Sequence, residues 1–168
     1  MENEIINRVA NSKLVVVDLE DYYPKGQRTI LDIKDWLFQE LVLREKDFRA
    51  YVKQHDWTQY QDHYVALTCT SDAIVPAWAY MLLTMHLQPH AKTIVIGTLE
   101  QLETSIYQDI IKDLDTSAFV DQPLIIKGCA NKPVPANAYI MLSKKLQPIA
   151  RSIMYGEACS SVPLYKRK

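Results

Sequence analysis

The apolar residues of this chain occur in short runs, and each run is followed by a stretch with helical spacing. Four runs are rich in Val, Ile and Leu and have the length of buried strands: "KLVVV", "HYVALTC", "KTIVIGT" and "QPLIIKGC". The spacing of apolar residues after them predicts helices over residues 32–54, 76–88, 98–114 and 135–154. Thr98 and Gln101 form a T-x-x-Q capping box at the start of the third helix.

This alternation of strands and helices predicts the fold class and the domain organisation. Parallel strands are joined by long crossovers, usually helices, which cover both faces of the sheet. We therefore predict an α/β fold formed by a single three-layer domain over residues 1–168. It has a mainly parallel sheet of about four to five strands, with helices on both faces.

An internal repeat adds to this prediction. Residues 75–91 and 134–150 differ by a constant offset of 59 and are identical at ten of seventeen positions. We predict a duplicated strand-loop-helix unit over residues 63–91 and 122–150. Pro76, Tyr80, Leu83 and Leu87 fall on one stripe of the first repeated helix, and packing in the core is the expected role of that stripe.

Composition and charge exclude several classes of function. The 168 residues are 48% apolar, and 19 basic and 20 acidic residues give a net charge of -1, so no footprint for nucleic acid or an anionic membrane is present. We find neither an 18-residue apolar run nor a signal-peptide pattern, which predicts a cytoplasmic protein. In that compartment its three cysteines are expected to be reduced thiols, metal ligands or catalytic groups.

The three cysteines carry the candidate chemistry. Cys69 and Cys129 each end a predicted strand shortly before a helix. These two cysteines and Cys159 are each followed within a few residues by a Val-Pro pair. Ligands bind at the carboxyl ends of parallel strands, where helix N-termini lower the pKa of a thiol. We predict a site for zinc or iron, or for the handling of sulfur, at these cysteines, with Asp72 and Glu157 as weaker candidate ligands.

Each of these residues also has a simpler interpretation. Free cysteine is among the most buried residue types, so the three thiols could simply be small core residues that bind no metal. Asp72 suits a helix cap or a turn, and Glu157 suits a solvated loop. A structural or protein-interaction module with core cysteines, including a homodimer, is therefore an alternative function.

A cysteine-dependent enzyme is the other alternative, with Cys159 or Cys129 as nucleophile and Glu157 or Asp72 as base. Pairing with histidine is not expected. His63 lies six residues before Cys69 on the same strand, about 20 Å away, and the other three histidines also map away from the strand ends. The common nucleotide, zinc-protease and hydrolase motifs are not found in the sequence, and no catalytic or cofactor-binding residue is assigned.

Several segments resemble the domain-of-unknown-function family 2480 of Bacteroidetes. They are "DAIVPAWAYML", "KGC", "SIMYGEACSSVPLYK", "LREKDFR" and "HDWTQY", and they extend over nearly the whole chain. Members of this family often carry proline where Ala158 stands here. The resemblance implies a setting beside the sulfur-mobilisation machinery, and thus an accessory role among iron-sulfur assembly proteins. It implies no catalytic residue.

Overall fold

The computed structural model describes residues 14–128, 131–157 and 160–168. Within them, four α-helices and seven strands form a mixed α/β fold. The strands are β1 (Val15–Val17), β2 (Arg28–Asp32), β3 (Tyr64–Thr68), β4 (Thr93–Ile96), β5 (Pro123–Ile126), β6 (Ser152–Glu157) and β7 (Ser160–Lys166). The helices are α1 (Glu45–Gln54), α2 (Ala77–Leu87), α3 (Leu99–Asp113) and α4 (Ala136–Leu146).

The described chain divides into two compact units. One is continuous, Pro24–Ile106, and we call it the inserted unit because it interrupts the other in sequence. The second, the split unit, consists of the described residues of 14–23 and 107–168. The boundary between Ile106 and Tyr107 falls within α3.

The inserted unit contains a three-stranded parallel sheet in the order β2-β3-β4. Its core forms where α1 and α2 place buried residues against one face of that sheet. Four positions of β3 in succession are buried, which is the pattern of a central parallel strand. The core includes Leu31, Val65 and Leu67 from the sheet, Phe48 and Val52 from α1, and Ala79, Leu83 and Leu87 from α2.

The split unit contains a four-stranded sheet in the order β1-β5-β6-β7. β1, β5 and β6 are parallel, and β7 pairs antiparallel with β6. The core of this unit includes Leu124 and Ile126 from β5, Tyr107 and Ile111 from α3, and Ala138, Leu142 and Leu146 from α4. Within each sheet, the carboxyl ends of the parallel strands therefore lie at one edge, where strand-end residues of that unit can meet.

The prediction of a single sheet is wrong, because the described strands form two sheets, one of four strands and one of three. β2 lies almost entirely in a segment for which the pattern predicts no element, and β6 overlaps the end of the helix predicted over residues 135–154. β2 pairs with β3 and β6 pairs with β5. The pairing of strands is non-local, so the order of strands and helices along the chain does not distinguish one sheet from two.

Two predicted helices are too long. The helix expected over residues 32–54 begins only at Glu45. Before it, Ile33, Trp36 and Leu37 have helical spacing, but they belong to a 3₁₀ turn that is followed by a bridge between Phe38 and Val42. The helix expected over residues 135–154 ends at Leu146, because Pro148 disfavours helical geometry before it and the later residues pair with β5. The capping box is confirmed, since Thr98 and Gln101 exchange hydrogen bonds of 2.7 and 3.2 Å.

None of the helices in the described parts of the chain has both the length and the apolar character needed to cross a membrane.

Leu83 provides a test of the α2 packing. Its side chain is 0% exposed, whereas Met81, two residues earlier on the same helix, is 64% exposed. We expect Leu83→Ala to lower the free energy of unfolding by about 2–5 kcal/mol, because it leaves a cavity in the core. Met81→Ala should change it by less than about 0.5 kcal/mol. Urea unfolding of both variants checks this, and equal losses would contradict the assigned faces of α2.

Candidate functional site

Cys69 lies at the carboxyl end of β3, immediately after the last residue of that strand. Its thiol is partly buried and packs against the core of the inserted unit. The sulfur atom lies 3.2 Å from Oγ of Ser71 and 3.9 Å from the carbonyl oxygen of Ser71, to which it donates. The position at a strand end agrees with the sequence pattern, and the packing also gives this thiol a structural role.

Asp32 holds the loop that follows Cys69. Its Oδ1 accepts hydrogen bonds from the backbone N–H groups of Lys34 and Thr70, at 3.0 and 3.2 Å, and its Oδ2 accepts one from Oγ1 of Thr70 at 2.5 Å. Burial on its own raises the pKa of Asp32, but the hydrogen bonds from Thr70 and Lys34 outweigh it and hold this pKa below its ordinary value. The carboxylate therefore ties the end of β2 to the segment after β3.

Tyr80, on the first turns of α2, lies near this cluster. Burial raises the pKa of its phenol, and the charges of Cys69 and Asp32 add to that effect. A phenol with a raised pKa stays protonated at neutral pH and can act as a hydrogen-bond donor, but it is a poor base. The group at this edge of the inserted unit thus contains one thiol, one phenol and one carboxylate that accepts three hydrogen bonds.

Asp72 does not join that group through any contact seen among the described residues. Its side chain is exposed and lines a surface pocket of about 540 Å³ together with Leu41, Leu43 and Ile74. It does not cap α2 either, because the cap residue is Pro76 and no side chain caps that helix. The structure therefore assigns neither a ligand role nor the capping role to Asp72.

The carboxyl edge of the split unit is more strongly charged. Asp18, at the end of β1, accepts a hydrogen bond from Nζ of Lys127 at 2.8 Å and one from the N–H of Glu20 at 2.9 Å. Burial tends to raise the pKa of Asp18, but Lys127 and the Glu20 amide hold it below its ordinary value. The Asp18 carboxylate in turn raises the pKa of Lys127, with smaller contributions from Glu157 and Glu20.

Hydrogen bonds anchor the chain on both sides of residues 129–130. The carboxylate of Glu20 accepts the backbone N–H groups of Asn131 and Lys132, and Nζ of Lys132 donates to the carbonyl oxygen of Glu20 at 2.9 Å. On the other side, the hydroxyl of Tyr155 donates to the carbonyl oxygen of Gly128 at 3.3 Å. The segments that precede and follow Cys129 in sequence are therefore tied to β6 and to the segment after β1.

Cys129 and Cys159 lie outside the described residues. Glu157, the remaining predicted ligand, ends β6 and is partly buried. Within residues 14–128, 131–157 and 160–168, no group of three or more His, Cys, Asp or Glu side chains is arranged to hold a metal ion. The described residues alone therefore do not fit a zinc or iron centre, and a metal role for the cysteines stays a prediction.

The four histidines have other partners. Nδ1 of His63 lies 3.1 Å from Oγ1 of Thr29, just before β3, and His86 stacks on Trp57 at 5.1 Å. His55 is 2.8 Å from the hydroxyl of Tyr60, and burial lowers the pKa of its imidazole. His90 lies 3.2 Å from the Gln61 amide oxygen. Among the described residues, no recorded contact joins a histidine to Cys69.

Asp18, Asp32 and Lys127 were not among the predicted site residues. A signal for the two aspartates is present in the sequence, because "LVVVD" and "RTILD" both end an apolar run with aspartate. Lys127 has no comparable signal, since its role depends on the non-local pairing of β1 with β5.

Asp32→Asn tests the carboxylate at the strand end. Because the pKa of Asp32 is lowered in the folded protein, its stabilisation is present above the unfolded pKa of about 3.9 and is lost as the pH falls through the folded value. We expect the variant to be about 1–2 kcal/mol less stable than wild type near pH 7. That difference should be smaller at a pH of about 3, below the unfolded pKa, because protonation of Asp32 removes its charged hydrogen bonds.

Urea unfolding at the two pH values measures this difference. Asp35→Asn is the matched control, because Asp35 is exposed on the neighbouring 3₁₀ turn. A difference for Asp32→Asn that does not change with pH, or one equal to that of Asp35→Asn, would contradict the role of Asp32.

Nearly the whole chain is similar to a known protein family. The family model described as "Protein of unknown function (DUF2480)" matches residues 3–167, nearly the full chain. Neither a curated protein nor a solved structure matches the chain.

Proposed function

Since this chain belongs to the DUF2480 family, whose description carries no activity, we propose a function from its thiols. It is an accessory protein of iron-sulfur cluster biogenesis that acts in the cytoplasm, with iron-sulfur assembly proteins as partners. Its cysteines form a site that handles sulfur or binds a metal, zinc or iron. The site lies at the carboxyl edge of the split unit and includes Cys129 and Cys159, with Glu157 as a neighbouring carboxylate.

The pairing of β5 with β6 is the observation that supports this site most directly. The two strands are adjacent and parallel, with Ile126 opposite Tyr155, so the chain leaves both at the same edge of the sheet. Cys129 follows the end of β5 by three residues, and Cys159 follows the end of β6 by two. Chain connectivity, at 3.8 Å per residue, therefore favours a shared edge for the two thiols.

Lys127 and Lys132 place two cations at this edge, beside the carboxylates of Asp18 and Glu20. Lys127 lies directly before Gly128 in sequence and carries a raised pKa, so it stays protonated at neutral pH. Cations near a cysteine lower the pKa of its thiol, and the thiolate is the form that binds metal or attacks sulfur. In sulfur transfer, the thiolate attacks the outer sulfur of a donor persulfide. A new S–S bond forms, the bond in the donor breaks, and the donor leaves as a thiolate.

Cys69 has a different role in this proposal. It belongs to the inserted unit, it packs against the core, and it donates to Ser71. Free cysteines in such surroundings behave as small apolar residues. We therefore treat Cys69 as a structural thiol and use it as the internal control.

The repeat and the layering belong to the same proposal. We infer that the chain contains a duplicated strand-loop-helix unit, and that each copy contributes to a layered α/β arrangement. Its support is the constant offset of 59 residues between α2 and α4 at both ends, between the first residues of β3 and β5, and between the first residues of β4 and β6.

A persulfide transfer assay tests the sulfur version. Purified protein is incubated with a small persulfide donor, the excess is removed, and intact mass is measured. We expect a mass increase of one or more sulfur atoms in wild type and in Cys69→Ser. The double variant Cys129→Ser/Cys159→Ser should lose at least about nine-tenths of that uptake, because the thiolate is the nucleophile.

Metal analysis of anaerobically purified protein separates the two versions of the site. Zinc or iron that is retained by Cys69→Ser and lost in the double variant supports a metal site. If the double variant changes neither sulfur uptake nor metal content, or if Cys69→Ser removes them, the proposed site is wrong.

A protein-interaction module is the second candidate function. The observation that favours it is a group of exposed apolar side chains in the inserted unit, with Ile74 92% exposed and Leu41 and Val42 more than half exposed. Single exposed apolar residues are common, but neighbouring ones that line the same pocket are typical of interaction surfaces. If the protein is an interaction module with core cysteines, we expect its thiols to react with thiol reagents only after unfolding.

A further inference from the structure

A second pocket in the inserted unit has a different chemical character from the cysteine edge. It has a volume of about 460 Å³, which is within the range of small-molecule sites. Its walls are the segment from Trp36 to Gln39 and one stripe of α1. The α1 stripe consists of Asp47, Ala50, Tyr51 and Gln54, which have helical spacing and so lie on one side of the helix. Phe48 and Val52 occupy the other side and are buried in the core.

Trp36 forms a rigid aromatic wall of this pocket. Its ring contacts those of Phe48, His55 and Trp57, with centroids separated by 5.8, 5.0 and 6.3 Å. It also stacks on Tyr51 at 6.1 Å with an interplanar angle of 13°. Packing on several sides fixes the orientation of an aromatic side chain, so two ring systems of this pocket are held in place before a ligand binds.

Phe38 supplies a third ring, and this ring already has a cation on one face. The guanidinium carbon of Arg44 lies 3.2 Å from the centroid of Phe38. The backbone holds Phe38 in place, because its N–H donates to the carbonyl of Val42 at 2.8 Å and the Val42 N–H donates back at 3.1 Å. Between them, Gln39 and Glu40 both have positive φ angles, 50° and 59°. Aromatic faces attract cations through the ring quadrupole, and Arg44 is an internal example at this site.

Asp47 is the charged residue among the described residues that line the pocket, and Arg44 lies nearby on the Phe38 ring. Among the described residues, no Lys, Arg or His side chain forms an ion pair with Asp47. Glu45, in the same first turn of α1, differs in this respect, because its carboxylate accepts a hydrogen bond from Arg49 at 2.8 Å and it does not line the pocket. The described lining of the pocket contains three aromatic rings and a single carboxylate. This set suits an organic cation better than a metal ion, which prefers several oxygen ligands.

We propose that the pocket formed by Trp36, Phe38, Tyr51 and Asp47 binds a small molecule that carries an alkylammonium group. The cation lies against the aromatic rings, and the carboxylate of Asp47 balances its charge. Gln39 and Gln54 provide amide groups for the polar part of the ligand. This binding is independent of the cysteines and of their proposed function.

Choline and its neutral isostere, 3,3-dimethylbutan-1-ol, are the probes that test this proposal. Each is titrated into ¹⁵N-labelled full chain at constant ionic strength, and the indole N–H resonance of Trp36 is followed, after assignment by its absence in Trp36→Phe. We expect choline to shift this resonance saturably, with a dissociation constant on the order of millimolar, and the alcohol to shift it much less.

Asp47→Asn and Glu45→Gln form the matched pair of variants. Both remove one negative charge from the first turn of α1, but only Asp47 lines the pocket. Choline binding should weaken about three- to tenfold in Asp47→Asn and by less than about twofold in Glu45→Gln. Equal binding of choline and the alcohol, no shift of the Trp36 resonance, or equal effects of the two variants would each overturn the proposal.

Discussion

In each unit, a carboxylate at the end of the first strand ties the carboxyl edge of the sheet together. Asp18 and Asp32 each accept the N–H of the residue two positions later, and each also binds a side chain that follows the neighbouring strand. That side chain is Lys127 in the split unit and Thr70 in the inserted unit. An edge of a parallel sheet exposes backbone groups and loops that need such partners, so these two carboxylates determine where the strand-end loops lie.

The segments next to the cysteines depend on this constraint. Thr70 follows Cys69 directly, and it is held by both carboxylate oxygens of Asp32. Lys127 precedes Gly128 and is held by Asp18, while Glu20 holds the backbone on the far side of residues 129–130. The same edge interactions therefore serve the fold and the candidate chemistry. A change at either aspartate is expected to act on the loops first and on the helices behind them later, because the helices are fixed by their own buried residues.

The sequence was sufficient to predict elements whose signals lie within the element itself. Pro76 and Pro135 precede α2 and α4, and the leucines at 83, 87, 142 and 146 are all 0% exposed, so the apolar stripe and the proline signal predicted these helices well. It was not sufficient for β2 and β6, whose charged and small residues resemble loops, nor for the segment before α1. There, the apolar residues have helical spacing, but Ile33 and Leu37 are buried at the two ends of a 3₁₀ turn, and Phe38 and Val42 of the bridge are exposed.

The candidate site divides in the same way between local and non-local information. The position of Cys69 at a strand end follows from the pattern of "HYVALTC", because the strand pattern runs up to the thiol. Its neighbours Asp32 and Tyr80 come from β2 and α2, and only strand pairing and helix packing bring them close to Cys69.

The aromatic pocket was not predicted from the sequence for a related reason. Trp36 lies in the 3₁₀ turn and Tyr51 in α1, so the helix predicted over residues 32–54 does not show that their rings line one pocket. The structure places both rings beside the carboxylate of Asp47 in the lining of one pocket, and this combination of ring faces with a charge is the basis of the proposed ligand site.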